Sequence, residues 1–329
     1  MIHGKRKPIQ EADWRAELRA ATLNAPALLA TLGLPAALAA ADDAGFPLRV
    51  PAAFVGRMRH GDPDDPLLRQ VLPLATEHAA VPGFCADPVG DLDAVAGPGL
   101  LQKYRGRALA ITTGACAIHC RFCFRRNFPY AAQAEADPQR IVAALADRPD
   151  VDELILSGGD PLTLGDRRLA ALVAAADGSA RLRRLRLHTR VPVVLPARIT
   201  PALCDLLGAS RLDLVVVIHA NHAAELDGAV ATALGRLRAA GATLLNQSVL
   251  LRGVNDDAAA LATLSTRLFA VGVLPYYLHM LDRTSGTAHF EVTEARALAL
   301  HQALAAQLPG YLVPRLVREV AGADCKQPL

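Results

Sequence analysis

Three cysteines, Cys116, Cys120 and Cys123, fall in one short stretch with no fourth cysteine nearby. A [4Fe-4S] cluster ordinarily takes four cysteine ligands. Three would leave one iron open to a small molecule, much as a catalytic zinc keeps a position that a structural zinc closes. The competing chemistry at this spacing is a zinc knuckle completed by His119, His219 or His222. Further on, Ser157-Gly158-Gly159-Asp160 follows an apolar run. Its two glycines would let backbone approach a ligand, and Asp160 could accept a hydrogen bond from an ammonium; the bland reading is a plain turn. Arg125 and Arg126 adjoin the cysteines, where a guanidinium fork suits a carboxylate or phosphate, or else lies in a solvated turn. Asp282 and Glu319 are singly no more than surface carboxylates, and Lys326 near the terminus is ordinarily solvated. Lys326 does follow a strand-like run and a turn bearing Gly322, which could dock it.

Regular elements must bring these residues together. From residue 108 onward, short apolar or β-branched runs alternate with helical patterns, as βα units around a parallel sheet require. The expected strands are residues 108–113, 153–157, 182–189, 214–220, 243–251 and 275–281, with a last strand-like run at 311–320. Helical patterns cover 138–146, 226–240 and 258–270. In a (β/α) barrel the active site forms at the carboxyl ends of the strands. Cys116, Gly158-Gly159-Asp160, His188, His219, Gln247 and Asp282 fall at or near those ends, one set per strand. Residues 1–100 are Ala-rich helices followed by Pro/Gly-rich turns, which reads as a helical cap on the barrel. The arginine-rich run at Arg181, Arg183, Arg184 and Arg186 reads as the solvated entry to a strand.

The 329 residues are 52% hydrophobic, enough for one packed domain, and a formal net charge of +3 is too weak to imply nucleic acid or membrane. The basic cluster Lys5-Arg6-Lys7 reads as a solvated tail. The most signal-like segment, residues 25–41, follows acidic residues and is broken by Gly33 and Pro35, so it reads as buried helix and the protein as cytoplasmic. Six cysteines, three of them clustered, suit a reducing compartment with a metal site better than a disulfide framework.

The C-x3-C-x2-C spacing is the signature of the radical S-adenosylmethionine (SAM) enzymes, whose open iron chelates the amino and carboxylate groups of SAM. Seven motifs, LQKYRGR, CAIHCRFCFRRNFPY, SGGDPL, HTRVPVVLPARIT, LLNQSVLLRGVND, PYYLHMLD and YLVPRLVREVAGADCKQPL, together resemble the lysine 2,3-aminomutase family. Most closely they resemble its short branch, which makes β-lysine for modifying elongation factor P. The likeness is dense over residues 100–329 and looser over the cap.

It implies a partial (β/α)6 barrel of the radical SAM type with an N-terminal helical cap, the barrel at 101–329 ending in a segment that carries a cofactor lysine. The implied cofactors are a [4Fe-4S] cluster on Cys116, Cys120 and Cys123, SAM, and pyridoxal 5′-phosphate (PLP) bound through Lys326. Gly158, Gly159, Asp160 and His219 are implied at SAM, and Arg107 and Gln247 at PLP. For the substrate, Arg125 is implied at the α-carboxylate of lysine and Asp282 at its ε-ammonium. Glu319 matches a second acidic position by spacing, where longer relatives carry aspartate. The implied partners are free L-lysine, an external electron donor and a ligase that passes the product to elongation factor P. A radical SAM enzyme of another type, such as a methyltransferase, and a metal-stabilised RNA-binding module are the competing functions. The glycine run before Lys326 and the short segment after it depart from the longer enzymes, so their oligomeric state does not carry over.

Overall fold

The structure, a computed structural model, describes residues 13–40, 45–131 and 137–329. The basic cluster Lys5-Arg6-Lys7 lies outside the described residues. Ten strands form one sheet in chain order: β1 (Val95–Gly97), β2 (Leu100–Leu101), β3 (Arg107–Thr113), β4 (Glu153–Gly158), β5 (Arg184–Thr189), β6 (Asp213–His219), β7 (Thr243–Val249), β8 (Leu274–His279), β9 (Arg315–Arg318) and β10 (Gln327–Pro328). Strands β3 to β9 run parallel to their neighbours, while β1, β2 and β10 are antiparallel additions at the two edges. Among the described residues neither β1 nor β10 has a second neighbour, so the sheet they form is open.

The connecting helices form where capping and apolar spacing coincide. Pro138–Ala146 starts at Asp137, whose carboxylate accepts from the Gln139 and Arg140 amides, and buries Ile141 and Leu145 four residues apart. Gly228–Ala239 starts at Asp227 and buries Val230, Ala233, Leu234 and Leu237, the i, i+3, i+4, i+7 stripe of an amphipathic helix. Ala258–Ala270 starts at Asp257 and buries Leu261, Leu264 and Leu268. Two expected strands are shorter than their apolar runs. Arg181 and Arg183 precede β5 rather than joining it, and the 311–320 run divides into a 3-10 turn, Gly310–Leu312, and β9. The antiparallel β10 leaves no signal in the sequence, since two residues carry no period.

Strand alternation makes the barrel hollow. Along β5, Leu185 and Leu187 are buried on the outer face, and Arg186 and His188 turn inward. On β7 and β8 the inward positions are Gln247 and Val249, then Tyr277 and His279. Polar residues on the inner face keep the barrel from filling itself with its own core.

Residues before β1 form short helices, Trp14–Arg19, Ala25–Thr31, Ala52–Val55 and Pro66–Arg69, and share one apolar core with the barrel through Leu28, Phe54 and Leu67. The 25–41 segment breaks after Thr31, with Gly33 at φ 68°, and among the described residues no helix is long and apolar enough to cross a membrane. A polar clamp adds to the apolar contact. Glu77, fully buried, receives Arg121 Nε at 2.9 Å and Arg126 Nη2 at 2.9 Å, tying the residues before β1 to the cysteine loop. Glu77→Gln should therefore destabilise the protein by about 3–5 kcal/mol, because two buried guanidinium groups lose their anion. Urea unfolding of the cofactor-free protein measures this, and a loss below about 1 kcal/mol would show that the clamp is replaceable.

Candidate active site

A cavity of about 360 Å³ opens at the carboxyl ends of the parallel strands, within the range of small-molecule sites. Every residue expected at a cofactor or substrate lines it, from Cys116 after β3 to Lys326 before β10. Two readings of individual residues change. Arg126 does not join a fork with Arg125: it points away to Glu77 and to the carbonyls of Arg121 and Gly286. Arg186 is not solvated: it lines the cavity and is ion-paired to Glu153 of β4.

The cysteine loop is rooted on the end of β4. Gly159 N donates to Thr113 O at 2.7 Å and Asp160 N to Ala115 O at 2.8 Å. A Cβ on Gly159 would stand 2.2 Å from Ala115 O, and one on Gly158, at φ 115°, 2.5 Å from Thr113 O. The glycine pair thus serves a close approach of chain to chain. Asp160 is likewise structural here: its carboxylate accepts from the amides of Leu162, Arg190 and Val191 and from Thr189 Oγ1. Burial nevertheless raises it to about 6.

The three thiols fit a cluster. Burial, with mutual repulsion, pushes Cys116 well up and Cys123 to about 11, so both are neutral thiols until iron ionises them. Burial raises Cys120 too, against the pull of Arg190, whose Nη1 lies 2.6 Å from its Sγ. Cys85 and Cys325 are exposed and Cys204 is buried outside the cavity, so no fourth cysteine lines it. Nor do the histidines complete a zinc site. His119 Nδ1 lies 2.6 Å from Pro47 O with its ring stacked on Phe46, and His222 Nδ1 accepts from Ala224 N. His219 lines the cavity, held neutral by burial with its value lowered to about 3, and its Nε2 lies 3.2 Å from Asn221 Oδ1. Among the described residues, no three His, Cys, Asp or Glu side chains close on a single metal ion. A cubane places each thiolate on a different iron, which asks for wider spacing than one ion does.

A chain of alternating charges crosses the cavity wall. Arg125 Nε donates to Asp91 Oδ2 at 2.6 Å, Lys103 Nζ contacts Asp91 Oδ1 at 2.7 Å and lies 3.8 Å from Glu319 Oε1, and Glu319 Oε2 holds Lys326. Tyr104 donates to the other Glu319 oxygen. Burial alone would raise Asp91 and Glu319, but their cations hold both below the usual carboxylate range. Asp282 is the exception. Its carboxylate has no hydrogen-bond partner among the described residues, and burial lifts it to about 7 despite Lys326 nearby. Arg107, stacked on Tyr104 at 4.4 Å, and Gln247 also reach the cavity without a hydrogen-bond partner among the described residues. Sequence reasoning missed Asp91, Lys103 and Arg190. Lys103 and Arg190 lay inside recognisable motifs, LQKYRGR and HTRVPVVLPARIT, and Asp91 lay outside all of them.

A partial parallel barrel with a C-x3-C-x2-C loop at the carboxyl ends of its strands is the architecture of the radical SAM enzymes. The chain belongs to the lysine 2,3-aminomutase family. It is 48% identical over 286 residues to the L-lysine 2,3-aminomutase of Escherichia coli, covering 86% of this chain and 83% of that protein. With the enzyme of the same name from Haemophilus influenzae it shares 43% over 322 residues, 96% of this chain and 95% of that one. No family model matches the chain. Among solved structures, a radical SAM methyltransferase from Sphaerobacter thermophilus aligns with a TM-score of 0.49 and 16% identity, over 67% of this chain and 68% of that one.

The lone carboxylate makes a signed prediction. Asp282 titrates near 7 when folded and near 4 when unfolded, so its buried charge lowers stability increasingly as pH rises between those values. In the cofactor-free protein, Asp282→Asn should melt above wild type at pH 8, with the gap closing as pH falls to about 4. A gap of equal size at both ends would mean that ionisation of Asp282 is not the cause.

Proposed function

We propose that the protein is a SAM- and PLP-dependent L-lysine 2,3-aminomutase that converts free L-lysine to β-lysine in the cytoplasm. Its product would pass to a ligase that modifies elongation factor P, and an external one-electron donor would supply the cluster. The observation that carries the reading is a single cavity lined by three thiols, a lysine, a guanidinium and an unpaired carboxylate. When bound, the cluster and SAM supply a carbon radical able to take hydrogen from an unactivated C–H, and PLP supplies the π system across which nitrogen migrates.

The chain's own groups do the rest. Cys116, Cys120 and Cys123 hold the iron, and the glycine backbone at 158–159 and His219 face SAM. Lys326 holds PLP through Nζ, with Arg107 and Gln247 toward its polar groups. Arg125 takes the substrate α-carboxylate. Its Nε is already engaged by Asp91, and Nη1 makes a 3.2 Å bond to Ser157 Oγ, so the guanidinium plane is set before substrate arrives. Asp282 takes the ε-ammonium, the one cation for which it has no protein partner. Glu319 is held by Lys326 and Tyr104, and a neutral Lys326 Nζ would leave its charge available beside Asp282. His188 and His279, kept neutral by burial, line the wall without adding a competing cation. The barrel and the residues before β1 enclose the reacting atoms, which a radical requires.

Borohydride treatment of protein loaded with PLP should fix the cofactor on the peptide containing Lys326. Label on another lysine would refute its assignment.

Recognition should divide between the two ends of the substrate. Asp282→Asn should weaken lysine by about 2–5 kcal/mol, because it leaves the ε-ammonium buried without its anion, and replacing lysine with lysinamide should cost less, since Arg125 keeps Asp91. Isothermal titration reads both, with SAM affinity unchanged. Equal affinity for lysine and lysinamide would point to a lysine already joined through its carboxylate as the true substrate.

A further inference from the structure

Arg190, just past β5, is built into its place from four directions. Its backbone amide donates to Asp160 Oδ2 at 2.7 Å. Its guanidinium lies between Phe122 and Phe54, 5.4 Å and 5.5 Å from their ring centres. One terminal nitrogen contacts Cys120 Sγ at 2.6 Å, and the other contacts Gln70 Oε1 at 2.5 Å and Glu225 Oε2 at 2.9 Å. Glu225 is a shared anion, since its other oxygen accepts from Gln70 Nε2 and from the amides of Asn221 and His222. Arg190 Nε is buried with no hydrogen-bond partner among the described residues. The guanidinium is paired with Glu225 on one side, held rigid, and directed at a cysteine sulfur on the other.

We propose that Arg190 is a positioning residue that sets the reduction potential of the cluster by donating a charge-assisted hydrogen bond to Cys120 Sγ. The proposal rests on the cysteine triplet holding a [4Fe-4S] cluster. Reduction adds one electron from the external donor and makes no bond, so the cluster with its thiolates becomes more negative by one unit. A fixed positive charge bonded to one sulfur stabilises that state over the oxidised one, as hydrogen bonds and net charge do at iron–sulfur sites. Low polarity around the two phenyl rings keeps the interaction from being screened. A guanidinium serves better than an ammonium here, because its planar fork reaches the sulfur and the Gln70–Glu225 pair at once.

The test is an anaerobic potentiometric titration, followed by electron paramagnetic resonance of the reduced cluster without SAM, on reconstituted wild type, Arg190→Lys and Arg190→Gln. Iron and sulfide are counted in each. Arg190→Gln should retain its cluster but reduce with an equilibrium constant at least tenfold lower, 59 mV more negative for a one-electron couple. Arg190→Lys should recover part of the shift. An unchanged midpoint in Arg190→Gln overturns the proposal, and so does loss of the cluster from both variants, which would make Arg190 part of the loop's scaffold. Wild type lacking iron and sulfide would instead sink the cluster reading itself.

Discussion

A buried carboxylate, Asp91, holds the site in its working arrangement. It lies 2% exposed between Arg125 and Lys103, two cations that would otherwise face each other across a closed cavity. Burying an unpaired charge in a cavity of this kind would cost several kcal/mol. The alternation Arg125, Asp91, Lys103, Glu319, Lys326 removes that cost by pairing each group with the next. The segment before β1 is thus more than a cover. It brings Asp91, and with it Gln70 and Glu77, to cations carried by the segments between the strands, Arg125, Lys103, Arg190, Arg121 and Arg126. Of the cavity carboxylates, Asp160 is satisfied by amides and a hydroxyl, whereas Asp282 has no hydrogen-bond partner among the described residues.

The cysteine loop is fixed before any iron arrives. Glu77 grips it from one side through Arg121 and Arg126, the glycine pair of β4 lets its root approach within hydrogen-bond distance, and Arg190 reaches Cys120 from β5. These anchors come from different parts of the chain, so the loop keeps its shape while its thiols remain protonated. Preorganised ligands reduce the ordering needed when a cluster binds.

Much of this was legible in the sequence, for identifiable reasons. Pro138–Ala146 and Ala258–Ala270 begin and end where the pattern set them, because an aspartate cap and an apolar stripe agree at each. The parallel strands were readable as apolar runs at regular intervals, and the cysteine spacing and terminal lysine stood out as chemistry. What remained hidden depends on distance along the chain. Arg125 meets Asp91 across 34 positions, and Arg190 meets Gln70 across 120, with no periodicity to announce either pairing. Asp160 shows the converse. Its type and place suggested a ligand contact, yet four protein donors occupy its carboxylate, because the turn after β4 and the start of the segment after β5 both need an acceptor there.

The central claim is that one cavity joins radical generation to nitrogen migration on free lysine. The most direct test is to reconstitute the protein anaerobically with iron, sulfide, PLP and SAM, supply a reductant and L-lysine labelled with nitrogen-15 at the α position, and follow the nitrogen by NMR. The account predicts that the label moves to C3 of β-lysine and that the movement requires both SAM and PLP. Label that stays on C2 while SAM is cleaved, or a methyl group transferred instead, would contradict it.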